Sequence, residues 1–176
     1  MGAVTLSNVV STSADSSPQL REEMLDLWYC VNLAGGAVGF TAVNTREDVE
    51  PVLDAALERV RDGQDTLVTI RVDGELAGFA FLVGHSTPLR AHWRTVLRVM
   101  VDPDRQGLGL GLVLMDAVHD EARRLGLEHL QLTMRDGLGL QSFYERAGYH
   151  EVGRHRGAIR VAPGDDRDEI MYMRSL

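Results

Sequence analysis

Val99-Met100-Val101-Asp102-Pro103-Asp104-Arg105-Gln106-Gly107-Leu108-Gly109-Leu110-Gly111 is the stretch on which the fold turns. The run 96–101 is apolar except for Arg98, which suits an interior strand, and Pro103 ends it. The glycines then let the chain turn with no side chains in the way. A helix follows to about Leu125, with Leu110, Leu114, Ala117, Glu121 and Leu125 near one stripe and Gly126 as the stop signal. Free amides at such a helix start, together with the helix dipole, make an anion site, and glycine lets the backbone close on a pyrophosphate. The plain alternative is a glycine-rich turn without a ligand, and glycines alone do not decide between the two. The spacing is GxGxG rather than GxGxxG, and the unit lies in the second half of the chain behind a β-meander. Both facts count against a dinucleotide fingerprint for NAD or FAD.

Upstream, 4–10 reads as a short first strand and 11–17 as a loop. Ser17-Pro18 starts a helix over 18–33, ended by Ala34-Gly35-Gly36. Thr45-Arg46-Glu47-Asp48 has the form of a capping box before a second helix, which carries Val49, Leu53, Ala56, Leu57 and Val60 at helical spacing and stops at Gly63. Strands are expected over 66–72 and 76–84, joined by the Asp73-Gly74 hairpin turn. Downstream, Leu130, Leu132 and Met134 alternate with polar residues as a strand does. A short helix over 139–147 carries Phe143 and Tyr144, and 149–156 and 169–174 are the last two strands. The order is β-α-α-β-β-β-α-β-α-β-β. One βαβ crossover among antiparallel hairpins predicts an α/β (α+β) mixed sheet with helices on its faces.

The 176 residues suit a single domain over 1–176, with 1–17 partly flexible. With 18 basic and 26 acidic residues the net charge is −8, the wrong sign for a generic nucleic-acid binder and weakly favourable to an amine. Every basic residue is arginine. The absence of lysine excludes a P-loop ATPase, lysine Schiff-base and pyridoxal-phosphate chemistry, and a protein kinase. Cys30 is the single cysteine and reads as a small buried hydrophobe; no internal disulfide can form. The six histidines lack metal-ligand spacing, so no metal is expected. No leader and no long apolar run stands in the chain, so a cytoplasmic protein without membrane contact is expected.

Gln106-Gly107-Leu108-Gly109-Leu110-Gly111, preceded by Val99, Val101 and Pro103 as Val-x-Val-x-Pro, resembles the Q/R-x-x-G-x-G/A signature of the GCN5-related N-acetyltransferases. Ser142-Phe143-Tyr144-Glu145-Arg146-Ala147-Gly148-Tyr149 is similar to that family's FYE-x-x-GF segment. The element order agrees, and within the family the chain looks most like the tabtoxin-resistance group, through 35–40, 99–101 and 109–111.

The resemblance implies transfer of an acetyl group from acetyl-CoA, the cosubstrate, to an amine by direct attack in a ternary complex. The backbone of Gln106, Gly107, Leu108, Gly109, Leu110 and Gly111 would hold the pyrophosphate, and Val99, Met100 and Val101 the pantetheine arm. An amide near Met100 would stabilise the oxyanion. Arg105 either adds charge there or is a solvated loop residue. Tyr144 would contact the cofactor and act as general acid toward the leaving thiolate. A base must take the amine proton. Relatives in the tabtoxin group place acidic residues near the positions of Thr95 and Thr133, so here His85 and His92 are the substitutes. Asp136-Gly137-Leu138 stands where the family often has Asn. Trp28, Tyr29, Phe40 and Trp93 are candidates to line the acceptor pocket, with core packing as the other reading. Asp165, Asp166 and Asp168 either bind an ammonium group or form a solvated turn. The expected partner is a small-molecule amine, the protein itself being a monomer or homodimer. The competing readings are a peptide or protein N-terminal acetyltransferase and a non-catalytic acyl-CoA-binding sensor.

Overall fold

The computed structural model describes residues 6–11, 17–41 and 43–176. Its elements are β1 (Leu6–Ser11), α1 (Pro18–Leu33), α2 (Arg46–Arg61), β2 (Asp65–Val72), β3 (Glu75–Val83), β4 (Trp93–Val101), α3 (Leu110–Arg124), β5 (His129–Arg135), α4 (Gln141–Arg146), β6 (His150–Ala162) and β7 (Asp165–Ser175). That is the expected α+β order. The expectation of a partly flexible stretch over 1–17 falls mostly on residues outside those described.

Local chemistry sets the boundaries. Ser17 accepts a hydrogen bond from the Leu20 amide, with Pro18 in the first turn of α1. The Thr45 amide donates to Asp48, which closes the capping box of α2. The hairpin between β2 and β3 turns on Asp73 and Gly74, both at positive φ. Cys30 is exposed rather than buried: Met24, Leu27, Trp28 and Val31 take the inner stripe of α1, and position 30 falls outside it.

The seven strands form one sheet in the order β1-β2-β3-β4-β5-β7-β6. All neighbours are antiparallel except β4 and β5. One face packs Leu114, Met115 and Val118 of α3 against Val68, Ile70, Val96 and Leu132. The other packs Trp28 of α1 and Leu53 of α2 against Phe79, Phe81 and Met100. The last hairpin is longer than predicted: β6 and β7 run to Ala162 and from Asp165. β6 is polar and exposed along nearly its whole length, so it carries no hydrophobic alternation to read; pairing with β7 makes it a strand.

Two irregularities shape the centre of the sheet. β4 and β5 pair only through Trp93↔His129, Arg94↔Leu130 and Thr95↔Gln131. Beyond Thr95 they splay, so the edge of β4 that faces β5 has no ladder partner. On its other edge, β4 carries a bulge against β3. Phe81 pairs with Leu97 and Phe79 with Met100, so Arg98 and Val99 together oppose Ala80. Arg98 holds φ 56° there, a left-handed conformation rare for a side chain of its size.

Candidate active site

The splay opens a cleft of about 460 Å³. Its walls are 96–99 of β4 and 132–135 of β5. The segment 37–41 between α1 and α2 lies over one side, 159–161 of β6 over another, and Leu138, Leu140, Tyr144 and Glu169 complete it.

At the far end of β4 the chain passes through a 3-10 turn, Pro103–Arg105, into α3. Asp102 caps that turn by accepting from the Asp104 amide. The Gln106 amide is spent on the Pro103 carbonyl at 3.3 Å. The amides of 107–111 donate to nothing among the described residues, and the next, Leu112, returns to Gly109. Gly107 and Gly109 have φ of 80° and 79°, and a Cβ on either would meet nothing within 4 Å. A row of free amides with no side chains in front of it is a cradle for an anion. Of the six residues expected to form the cradle, Gln106 has its amide already bonded, and Gly107, Leu108, Gly109, Leu110 and Gly111 have theirs free among the described residues. Gly111 has a second reason to be glycine: a Cβ there would stand 2.9 Å from the Phe143 ring.

A model of the acetyltransferase (GNAT) family matches residues 40–149, well over half of the chain. The chain belongs to the GNAT acetyltransferase family. Among solved structures, it is similar to a GNAT-family acetyltransferase from Streptococcus pneumoniae, at 16% identity and TM-score 0.77, covering 98% of this chain and 100% of that one. It is similar to a ribosomal L7/L12 alpha-N-protein acetyltransferase in complex with coenzyme A, at 18% identity and TM-score 0.75, covering 98% and 94%. A spermidine N-acetyltransferase chimera from Vibrio cholerae matches at 15% identity and TM-score 0.73, covering 97% and 95%. At these identities the likeness shows the fold and leaves the acceptor open.

GNAT enzymes use acetyl-CoA, and the residues present fit it. The cradle offers five amides to a pyrophosphate, and the unpaired edge of β4 offers a strand's worth of backbone to the arm behind it. Met100, expected to supply an amide to the reaction, is oriented the other way. Its side chain is buried with Phe79, and its carbonyl lies where a Cβ on Gly78 would stand 2.6 Å away, so it faces β3. In extended backbone the amide and carbonyl of one residue point to the same side. The groups turned toward the cleft are those of its neighbours, Val99 and Val101, and Val99 lines the cavity.

Tyr144 is buried at 8% exposure yet lines the cleft, and its hydroxyl has no hydrogen-bond partner among the described residues. The rings of Phe143, Tyr149 and Tyr172 lie 5.0–6.2 Å from its own. Burial pushes its pKa up to about 12. The side chain is thus both packed and presented, with its proton held throughout the neutral range.

The two histidines proposed as bases are not in the cleft. The His85 ring lies tilted against that of Trp93, 4.0 Å between centroids, in a separate hollow with Arg59, Arg90 and Arg94. Desolvation, then the nearby Arg90 and Arg94, lower its pKa. His92 is exposed beside His129, 6.1 Å between rings. Both lie at the closed end, where β4 and β5 are still paired, on the order of 15 Å along the strand from Arg98. Thr133 lines the cleft, whereas Thr95 is in the last paired rung. Sequence reasoning missed Glu169, the one carboxylate among the residues that line the cavity. Ile170 and Tyr172 fill the α3-side core, so the alternation of β7 turns Glu169 to the opposite face.

Several other candidates are accounted for by the protein itself. Arg105 pairs with Glu75 and Asp102. Asp165, Asp166 and Asp168 pair with Arg167, Arg160 and Arg154. Asp136 accepts from the Gly137 amide and from Arg154. Of the four aromatic residues offered for the acceptor pocket, Trp28, Tyr29, Phe40 and Trp93, only Phe40 lines the cleft; Trp28 is core and Trp93 lines the other hollow. Among the described residues no helix is long and apolar enough to cross a membrane.

Proposed function

We propose that this chain transfers the acetyl group of acetyl-CoA to a primary amine of a small molecule, by direct attack with both substrates bound. The observation that carries the reading is one continuous path: the free amides of 107–111, the unpaired edge of β4, and the Tyr144 hydroxyl in the cleft beyond. Acetyl-CoA supplies the activated acyl group. The cradle holds its diphosphate, and Val99 and Val101 hold the uncharged arm in extended register.

Two side chains then manage the protons. Glu169, directly or through a water, accepts the proton of the attacking amine. Tyr144 donates to the departing sulfur. A phenol with a pKa near 12 would transfer its proton to an exposed thiolate uphill. The sulfur leaves inside the same desolvated cleft, where burial makes a thiolate more basic as well. A donor already protonated and pointed at the place where charge develops needs no reorganisation.

A small acceptor is favoured over a peptide because the cleft is roofed from two sides, by 37–41 and by 159–161. A volume of about 460 Å³ is that of a small-ligand pocket. The softer likeness to the tabtoxin-resistance group points the same way, toward an amine-bearing toxin, antibiotic or amino-acid-like compound. A sensor that merely binds acyl-CoA would have no use for an unpartnered hydroxyl and a carboxylate in one cleft.

The deciding experiment is a panel of amines with acetyl-CoA, read by thiol release, beside a thermal shift with acetyl-CoA alone. Amine-dependent thiol release together with a stabilising shift is expected. A shift without release on any small amine or peptide would favour the sensor. Release confined to peptides would favour the protein N-terminal enzyme.

A further inference from the structure

Arg98 differs from most of the arginines in this chain. Most of them are tied to carboxylates: Arg21 to Glu50 and Asp54, Arg46 to Glu22 and Asp26, Arg59 to Asp65, Arg160 to Asp166. Arg94 donates to Thr66 Oγ1 and Arg174 to the Ala147 carbonyl. Arg98 has neither an ion pair nor a hydrogen bond among the described residues, in a chain with 26 carboxylates to 18 arginines. Yet it is half-buried and lines the cleft. The bulge of β4 aims it: with φ 56° at that position, the guanidinium carbon sits 4.8 Å from the centre of the Trp28 ring and 5.7 Å from that of Phe81. The rings attract the cation without touching its N–H groups. What is left is a planar fork of donors, in a low-dielectric wall, with nothing to donate to. That geometry matches an oxyanion with two oxygens.

The surroundings carry the same sign. Arg135 lines the same cleft and is likewise without an ion pair among the described residues. Arg160 lines it too, already neutralised by Asp166. Glu169 is the one opposing carboxylate. A protein of net charge −8 thus presents a cationic acceptor cleft, the reverse of what its overall charge suggests. The cofactor does not explain the excess: its phosphates belong at 107–111, and the arm that runs along β4 is uncharged.

We infer that the acceptor is an amine that also carries an anionic group, a carboxylate or a phosphonate, and that Arg98 receives that anion on its Trp28 platform. The inference rests on the acetyltransferase reading and adds the acceptor's second functional group. The anion held at Arg98 fixes one end of the molecule while its amine reaches toward Glu169 and the thioester. A polyamine, carrying only positive charge, is disfavoured.

The test pairs each of a set of common amino acids with its decarboxylated amine and, where one exists, its aminoalkylphosphonate. All are assayed with acetyl-CoA on wild-type enzyme, Arg98→Met and Arg98→Lys. The wild type should favour an anion-bearing member over its decarboxylated partner by roughly 10- to 100-fold in kcat/KM, the range for a hydrogen bond to a charged group. Whether carboxylate or phosphonate ranks first identifies the anion. Arg98→Met should erase the preference while leaving the decarboxylated amine's rate and the acetyl-CoA thermal shift in place, and Arg98→Lys should keep part of it. A preference that survives in Arg98→Met overturns the inference. So does an equal fall for every acceptor, which would put Arg98 on the thioester or in the fold. A second readout does not depend on turnover. In a Trp93→Phe background Trp28 is the remaining indole, so its emission should change saturably with the amino acids and not in Arg98→Met. Saturable binding without acetylation would remove the acetyltransferase reading and keep the anion site; no saturable change would remove the anion site.

Discussion

At Tyr144, burial and access to the cleft meet in one side chain. The ring is held by three neighbouring aromatic rings, and the hydroxyl is left without a partner in the cleft. Tyr144→Phe keeps the packing and removes the donor. The acetyl-CoA thermal shift should survive and KM for the cofactor should move little, while kcat falls by up to ~10²–10³-fold, within or just below the range for general acid catalysis. Because its pKa is pushed up to about 12, no alkaline fall in kcat below about pH 11 should trace to this group. Unchanged turnover in the variant, with chemistry shown to limit the rate, would make Tyr144 a packing residue. Glu169 is tested differently. Glu169→Gln is nearly isosteric, and kcat/KM for the amine should drop by roughly 10²-fold at neutral pH. The loss should shrink as the pH rises and solution base deprotonates the amine. A loss equal at every pH would argue against a base.

At the level of elements, the glycine turn and α4 are coupled through Gly111. An added methyl at 111 meets the Phe143 ring at 2.9 Å, next to Tyr144 in sequence. Gly111→Ala should therefore cost about 1–3 kcal/mol and several degrees of melting temperature, through overpacking rather than through lost phosphate contacts. Trimming the ring in Gly111→Ala/Phe143→Leu should recover part of it, as a coupled pair does. Gly109→Glu has open space at its Cβ but a φ of 79°. It should lose a few degrees at most and lose the whole acetyl-CoA shift. If both glycine variants behaved alike, the division between packing and cradle would fail. The sequence announced these elements where a local rule was at stake: the cap at Ser17, the box at Thr45, the Asp73-Gly74 turn, the glycines before α3. It fell short where pairing decided. The strand expected over 149–156 is there, but its polar extension to Ala162 has no pattern to read. The bulge that turns Arg98 into the cleft exists only against β3, and Glu169 lines the cleft because β5 and β7 share a register. That His85 and His92 lie away from the cleft was hidden for the same reason, since only the splay of β4 from β5 shows which end of the strands is open.

The stability of the whole molecule has a titrating element on the α3 side of the sheet. His119 of α3 is 1% exposed and meets the Tyr149 hydroxyl at 3.3 Å, joining α3 to the start of β6. Desolvation first, then Arg174 and Arg123, pull its pKa down from 6.5 to about 4; Asp120 opposes them weakly. Folding therefore keeps His119 neutral where the unfolded chain would protonate it. Between pH 6.5 and 4 the unfolded state binds the extra proton, so stability rises with pH in that window. The contribution is complete above about pH 6.5 and is lost as the pH falls toward 4. The paired carboxylates act lower down. Glu23 beside Arg71 and Asp54 beside Arg21 have pKa values held below the usual range, so their share is present above about pH 4.5 and disappears below it. Two limbs should thus appear in a plot of melting temperature against pH, the upper one carrying His119 together with a share from His85, whose pKa is lowered as well. At pH 5 the linkage amounts to on the order of 1–2 kcal/mol, or several degrees. His119→Gln keeps a polar group toward Tyr149 but cannot titrate. Its melting temperature can start lower at pH 7.5, but between pH 7 and 5 it should fall less than the wild type's, and the two curves should run parallel again below pH 4. Curves parallel across the whole range would show that His119 is protonated as readily in the folded chain as in the unfolded one, and that its place against Tyr149 carries no linkage to pH.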